Sequence, residues 1–190
     1  DACDCFREAA GLLERDFPLV FIDRGMNIPK STTVTTANSK AAADLAKKCL
    51  GAGADRFVIL FGEKNTAADA RLSGALAILD KQKIPHIIAG TPDDLDMSFI
   101  NTGKPAFLAS SAGYISQLTD NLSGLKFIAG VFDNWIGLTE DFTHIFVCKQ
   151  NFMGIAEQAA KVMLEKIKNR KCKSGVIEVP ALKLETFKTV

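Results

Sequence analysis

At 190 residues the chain is long enough for one large domain or two small lobes. Its 23 lysines and arginines nearly balance 22 aspartates and glutamates, so a net charge of +1 leaves no bulk attraction to nucleic acid or to a membrane surface. No apolar run is long enough to span a bilayer, and Asp1 and Asp4 stand where a signal peptide would be basic.

The spacing predicts a helix from Cys5 to Arg15, with Phe6, Ala9, Ala10 and Leu13 on one side, then a buried strand over Pro18–Asp23 and a loop from Gly25 to Lys30. Thr32–Thr36 is β-branched and short, a strand or the lead-in to a helix over Asn38–Leu50 that turns Ala42, Leu45, Ala46 and Cys49 inward. Arg56–Phe61 is a strand, followed by the Gly62 turn. Ala68, Leu72, Ala75, Leu76 and Leu79 then form the stripe of a helix over Thr66–Lys81, with Thr66 and Asp69 as a capping box. Further strands are expected at Pro85–Ala89, Pro105–Ala109 and Lys126–Gly130, and a short strand or extended link at His144–Cys148, with an acidic, turn-rich stretch over Thr91–Gly103 and a turn at Ser110–Gly113 into a helix running to about Leu122. The longest helix runs from Asn151 to Asn169 with Ala156, Ala160, Met163, Leu164 and Ile167 as its core stripe, and Gly175–Pro180 is a final strand with an extended tail. Strands alternating with helices in this way predict an α/β protein with parallel sheets flanked by helices.

Most motifs that carry chemistry fail on inspection. Gly51-x-Gly53 precedes a strand instead of following one and has Arg56 where a dinucleotide fingerprint needs its third glycine. The turn Gly62–Thr66 lacks the second glycine and the lysine-serine ending of a P-loop, so a capped helix start accounts for it. Ala109–Gly113 approximates a nucleophile elbow around Ser111, with Asp133 and His144 following in serine, acid, histidine order, but alanine replaces the first glycine and no oxyanion loop is evident. Five scattered cysteines, at 3, 5, 49, 148 and 172, make no CxxC pair, which suits a reducing cytosol. Cys3-Asp4-Cys5 has no nearby histidine, and Pro92–Asp96 lacks calcium-loop spacing. No catalytic residue, metal or cofactor is therefore expected. The basic cluster from Lys166 to Lys173 sits where it complements a helix carboxyl end.

Taken in order, the pieces resemble the effector-binding core of the lactose/galactose-repressor (LacI/GalR) family. Phe17–Arg24 is similar to its "IPVVxIDR" strand, Val34–Asn38 and the alanine-rich helix to its "VxxDN" segment, and Leu50–Phe57 to "LxxxGHxxI". Arg71-Leu72-Ser73-Gly74 resembles "RxxGF", Ala129–Asn134 resembles "VGFDD", and Gln150–Ala156 resembles "QxxxxMGxxA". Ala37 stands where the family has aspartate, Ser110-Ser111 replaces its "ND", and Val131 replaces a glycine.

The resemblance implies a type I periplasmic-binding-protein-like, two-lobed fold that closes on a small polar effector, a sugar or nucleobase. Arg71, Asp133, Ser110, Asn38 and Trp135 are the ligand contacts it points to. The residues alone leave Arg71 either a ligand contact or half of a surface salt bridge, and Trp135 either a stacking surface or core. It further implies a cytoplasmic homodimeric transcription regulator that meets DNA only through an N-terminal domain absent from this chain, with no membrane contact. A periplasmic or receptor-type sugar-binding module is the alternative. The implied organisation is an incomplete N-terminal lobe over 1–50 with an uncovered sheet edge, a C-terminal lobe over 51–130, a crossover and return to the N-terminal lobe over 131–170, and the final strand and tail of the C-terminal lobe over 171–190.

Overall fold

Apolar runs without polar alternation build the larger of two sheets. In the computed structural model, which describes residues 2–25, 28–61, 65–90, 94–111, 113–115, 122, 126–133, 142–169 and 174–188, the chain divides into two compact units. The first comprises Asp1–Ala37, Asn65–Ala67 and Asn151–Pro180; the second comprises Asn38–Lys64, Ala68–Gln150 and Ala181–Val190.

The elements of the first unit are helix α1 (Ala2–Glu14), strands β1 (Phe21–Ile22) and β2 (Thr32–Thr36), and, later in the chain, a long helix and a strand. Those of the second begin with α2 (Asn38–Gly51), β3 (Arg56–Leu60), most of α3 (Thr66–Lys81) and β4 (His86–Ile88). They continue with α4 (Met97–Ile100), β5 (Pro105–Ala109), β6 (Phe127–Phe132) and β7 (Phe142–Cys148). The chain then supplies α5 (Phe152–Lys168) and β8 (Gly175–Val179) to the first unit and β9 (Glu185–Lys188) to the second.

The second unit holds a six-stranded sheet in the order β4-β3-β5-β6-β7-β9, parallel except for β9, which runs antiparallel to β7. Every residue of β5 and β6 is buried, the condition of strands covered on both faces. The two-residue alternation sorts them. Phe57, Ile59 and Leu108 join Leu45, Ala46 and Cys49 of α2 on one face. Val58, Leu60, Phe107, Phe127 and Phe142 form the core of the other, where Phe107, Phe127 and Phe142 meet edge to face with centroids 5.0 and 4.4 Å apart.

In the first unit three parallel strands lie in the order β1-β2-β8. Ile155, Ala159 and Val162 of α5 pack on Val34 and Val179, and Ala9 and Leu13 of α1 pack on Ile28.

The structure departs from the sequence expectations at several points. Pro18–Asp23 is not a buried strand: only Phe21–Ile22 pairs, Ile22 is 56% exposed, and among the described residues β1 pairs with β2 alone. On α5 the buried positions are Ile155, Ala159, Val162 and Lys166, one residue out of step with the expected stripe, and Leu164 and Ile167 are exposed. That helix has Glu157, Gln158, Lys161, Glu165 and Lys168 on one face and an apolar face more than half its circumference wide, so periodicity alone does not fix which part of that face turns inward. Asn65, not Thr66, caps α3, its Oδ1 accepting from the Ala67 amide. The extended tail forms β9, an edge strand whose polar sequence Glu185-Thr186-Phe187-Lys188 gives no apolar signal. Of the two units, α2 and β7 lie in the second, and β8, paired along its whole length with β2, lies in the first. The acidic stretch supplies a cap, with Asp96 Oδ1 accepting from the Ser98 and Phe99 amides. The Gly62 turn, Pro92-Asp93, Trp135 and Arg170–Lys173 lie outside the described residues.

Candidate ligand-binding site

In an open parallel sheet the strand carboxyl ends release the chain into loops and helix starts, so polar side chains collect there without interrupting the core. The second unit follows this rule along four adjacent strands. β3 leads to α3 and Arg71, β5 ends into Ser110, β6 ends into Asp133, and β7 is followed by Gln150.

Arg71 is 5% exposed, which removes the surface salt bridge as an account of it. A guanidinium so placed must find partners. Its Nε donates to Asn38 Oδ1 at 2.8 Å, its Nη1 donates to the Ser110 carbonyl at 3.3 Å, and its Cζ sits 4.0 Å from the centroid of the Phe132 ring. Gly74 makes this arrangement possible. A Cβ there would fall 2.0 Å from the Ser39 carbonyl oxygen, so only glycine lets α3 cross the first turn of α2 this closely. Arg71, three residues earlier on the same face of α3, is thereby delivered to Asn38 at the start of α2. The R-x-x-G spacing is thus one geometric unit.

Ser110 is 2% exposed, and its Oγ is buried without a hydrogen-bond partner. Asp133 accepts from Gln150 Nε2 at 2.8 Å through Oδ1, and its amide donates to the Cys148 carbonyl at 3.0 Å. Its φ of 68° lies in the left-handed region, where a residue other than glycine costs on the order of 1 kcal/mol unless its surroundings fix it. The Cys148 thiol reports on both charges: burial pushes it up to about 11, with Arg71 opposing the rise and Asp133 adding to it.

Asn38, Arg71 and Ser110 therefore form one hydrogen-bonded group, and Asp133 is held by Gln150 immediately after Phe132, the residue under the guanidinium. Trp135 lies outside the described residues. Gln150 and Phe132 stand within the segments matched to the family pattern but are not among the ligand contacts that the resemblance points to. Asp23 in the first unit was also missed. It follows β1 with φ 65°, and its Oδ1 is buried without a partner. The signal available was a carboxylate as the last residue of a predicted strand.

The hydrolase constellation does not assemble. His144 lies opposite Ile128 of β6, roughly 16 Å of strand before Asp133, and Asp133 is engaged by Gln150. Among the described residues no group of three or more histidine, cysteine or acidic side chains is placed to hold a metal ion.

No protein-family model matches the chain, and no curated protein matches it in sequence. Solved structures do match in fold. The Cra transcriptional dual regulator from Pseudomonas putida, in complex with fructose 1-phosphate, superposes with a TM-score of 0.72 at 18% identity, covering 96% of this chain and 72% of that one. A LacI family transcriptional regulator from Enterococcus faecium with bound ribose gives 0.70 at 15% identity, over 94% of this chain and 73% of that one. A periplasmic binding protein/LacI transcriptional regulator from Alkaliphilus metalliredigens QYMF, complexed with D-xylulofuranose, gives 0.70 at 15%, over 92% and 71%. The chain has the LacI-type regulator fold. Within that fold the polar row at the strand ends of the second unit stands where an open α/β sheet takes a ligand.

Proposed function

We propose that the chain is the effector-binding part of a LacI-type transcription regulator and that its effector is a small polyhydroxylated molecule of the sugar class. The observation that carries this reading is the buried Arg71, fixed by Asn38 and the Ser110 carbonyl beside an unpartnered Ser110 hydroxyl and the Asp133 carboxylate. A fixed guanidinium fork donates to ligand hydroxyls, and a carboxylate accepts from them. Three fold relatives hold a sugar or sugar phosphate, which agrees with that chemistry.

Regulation in this reading follows from a ligand binding one conformational state better than another. The protein would act as a cytosolic homodimer, and DNA would be contacted by a part of the regulator other than these 190 residues. Among the described residues no helix is long and apolar enough to cross a membrane.

The test is calorimetric titration with ribose, cellobiose, fructose 1-phosphate and a set of nucleobases. A sugar or sugar phosphate is expected to bind, and Arg71→Ala to weaken it by about tenfold or more, as for loss of charge-assisted hydrogen bonds. Unchanged affinity in a folded Arg71→Ala protein sinks the site. The residues encoded before Asp1 separate the regulator from a periplasmic sugar-binding module: a helix-turn-helix supports the first, a signal peptide the second.

A further inference from the structure

An open groove of about 720 Å³ runs between the carboxyl half of α2 and the β7–β9 edge of the second unit's sheet. Strand register sets its floor. His144 lies opposite Lys188 and Phe146 opposite Thr186, so all four side chains share one face. The rings of His144 and Phe146 are nearly parallel, 16° apart in plane with centroids 6.0 Å apart. Lys47 and Lys48 of α2 line one wall, and Lys183, in the segment before β9, lines the other.

Four lysines border this concavity against one carboxylate, Asp44, which already engages Lys40 at 2.7 Å and Lys47 at 3.2 Å. Among the described residues no ion pair joins Lys48, Lys183 or Lys188 to a carboxylate. In a chain of net charge +1 this is a local concentration of positive charge, not a sample of a basic surface. The end of α2 does not undo it, because the carbonyls of Lys48, Cys49 and Leu50 accept from the amides of Ala52, Ala54 and Gly53. A further sign of an unfilled requirement lies on the floor: His144 Nδ1 is buried with no hydrogen-bond partner. The stacked rings and Leu184 add an apolar surface that an inorganic ion would leave unused.

We propose that this groove is a second small-molecule site for an organic anion, a phosphate or carboxylate carried on a planar ring. It is separate from the Arg71 group, since Lys48 lies roughly 15 Å along α2 from Asn38. The volume is that of a small-molecule cleft and too small for a length of nucleic acid.

The experiment titrates the 190-residue chain at low salt with 1-naphthyl phosphate and 1-naphthoate, using 1-naphthol and inorganic phosphate as controls. At least one aryl anion should bind, each control about tenfold more weakly or not at all, and the tighter anion identifies the headgroup. The double variant Lys48→Ala/Lys183→Ala should lose about tenfold while Arg71→Ala leaves this binding unchanged, which keeps the result independent of the effector reading. The proposal is overturned by absence of saturable binding, by unchanged affinity in a double variant with native circular dichroism, or by inorganic phosphate binding as tightly as naphthyl phosphate. Self-association of the variant as its only change also overturns it, since the lysines would then merely guard the free edge of β9.

Discussion

The two units bury their sheets to different depths. In the second, β3, β5 and β6 lie inside two apolar layers, and their strands are continuous apolar runs. In the first, β2 is buried along its length, whereas its neighbours β1 and β8 are largely exposed, with Ile22 at 56% and Val176 at 68%. Its central strand is Thr-Thr-Val-Thr-Thr, which contributes one aliphatic side chain, Val34, to the packed layer under α5. Stability therefore resides mainly in the second unit, since apolar burial is concentrated in the unit that also carries the Arg71 group. The buried guanidinium is thus held on the better-packed sheet.

The largest expected effect tests that contrast directly. Phe107→Ala empties a fully buried position edge to face with Phe127 and should cost about 3–5 kcal/mol. Ile22→Ala, on the edge of the smaller sheet, should stay within about 0.5 kcal/mol. Chemical denaturation followed by circular dichroism measures both. Equal losses would dissolve the distinction between the units.

Next in size is Gly74→Ala. The new methyl group cannot coexist with the Ser39 carbonyl 2.0 Å away, so α3 and α2 must separate. A loss of about 1–3 kcal/mol is expected, together with weaker effector binding as Arg71 is drawn from Asn38. Stability lost with binding intact would show that the helix crossing does not position the arginine.

Much of this was legible in the sequence, and the failures have physical causes. Runs such as Phe57–Leu60 and Pro105–Ala109 read as strands because they are apolar without alternation, only four or five residues long, and bounded by turn residues, the pattern of strands covered on both faces. Arg71-x-x-Gly74 was visible as a pattern, but the reason for its glycine is a contact with Ser39, distant in sequence. The inward face of α5 was illegible because Met153, Ala156, Ala160, Leu164 and Ile167 form an apolar stripe as regular as the one that packs. Strand β9 has no periodic signal, so the groove beside it could not be foreseen. Asp133 and Gln150 both stand in recognisable segments, but nothing in those segments shows that the Gln150 amide donates to the Asp133 carboxylate, a contact made between two adjacent strand ends.

The smallest predicted effect uses the cysteines to compare the units. Cys5 of the first unit is exposed, whereas Cys49 and Cys148 of the second are buried, and desolvation raises both of the buried thiols. A thiol reagent at pH 8 should therefore modify Cys5 in the native protein and reach Cys49 and Cys148 only after unfolding. The sign for stability follows from linkage. A thiol whose folded value lies above its ordinary 9.0 keeps its proton in the folded state while the unfolded chain loses it, so its contribution is intact below pH 9 and is lost as pH rises toward the folded value of about 11. For Cys148 alone the loss between pH 9 and 10 should be about 1 kcal/mol. Cys148→Ala should flatten that part of the alkaline stability profile whatever its own packing cost, since the variant has no thiol to ionise. If the slope above pH 9 is the same in the variant, or if Cys148 reacts as readily as Cys5 in native protein, the strand end that carries Asp133 and Gln150 opens to solvent far more often than its packing implies.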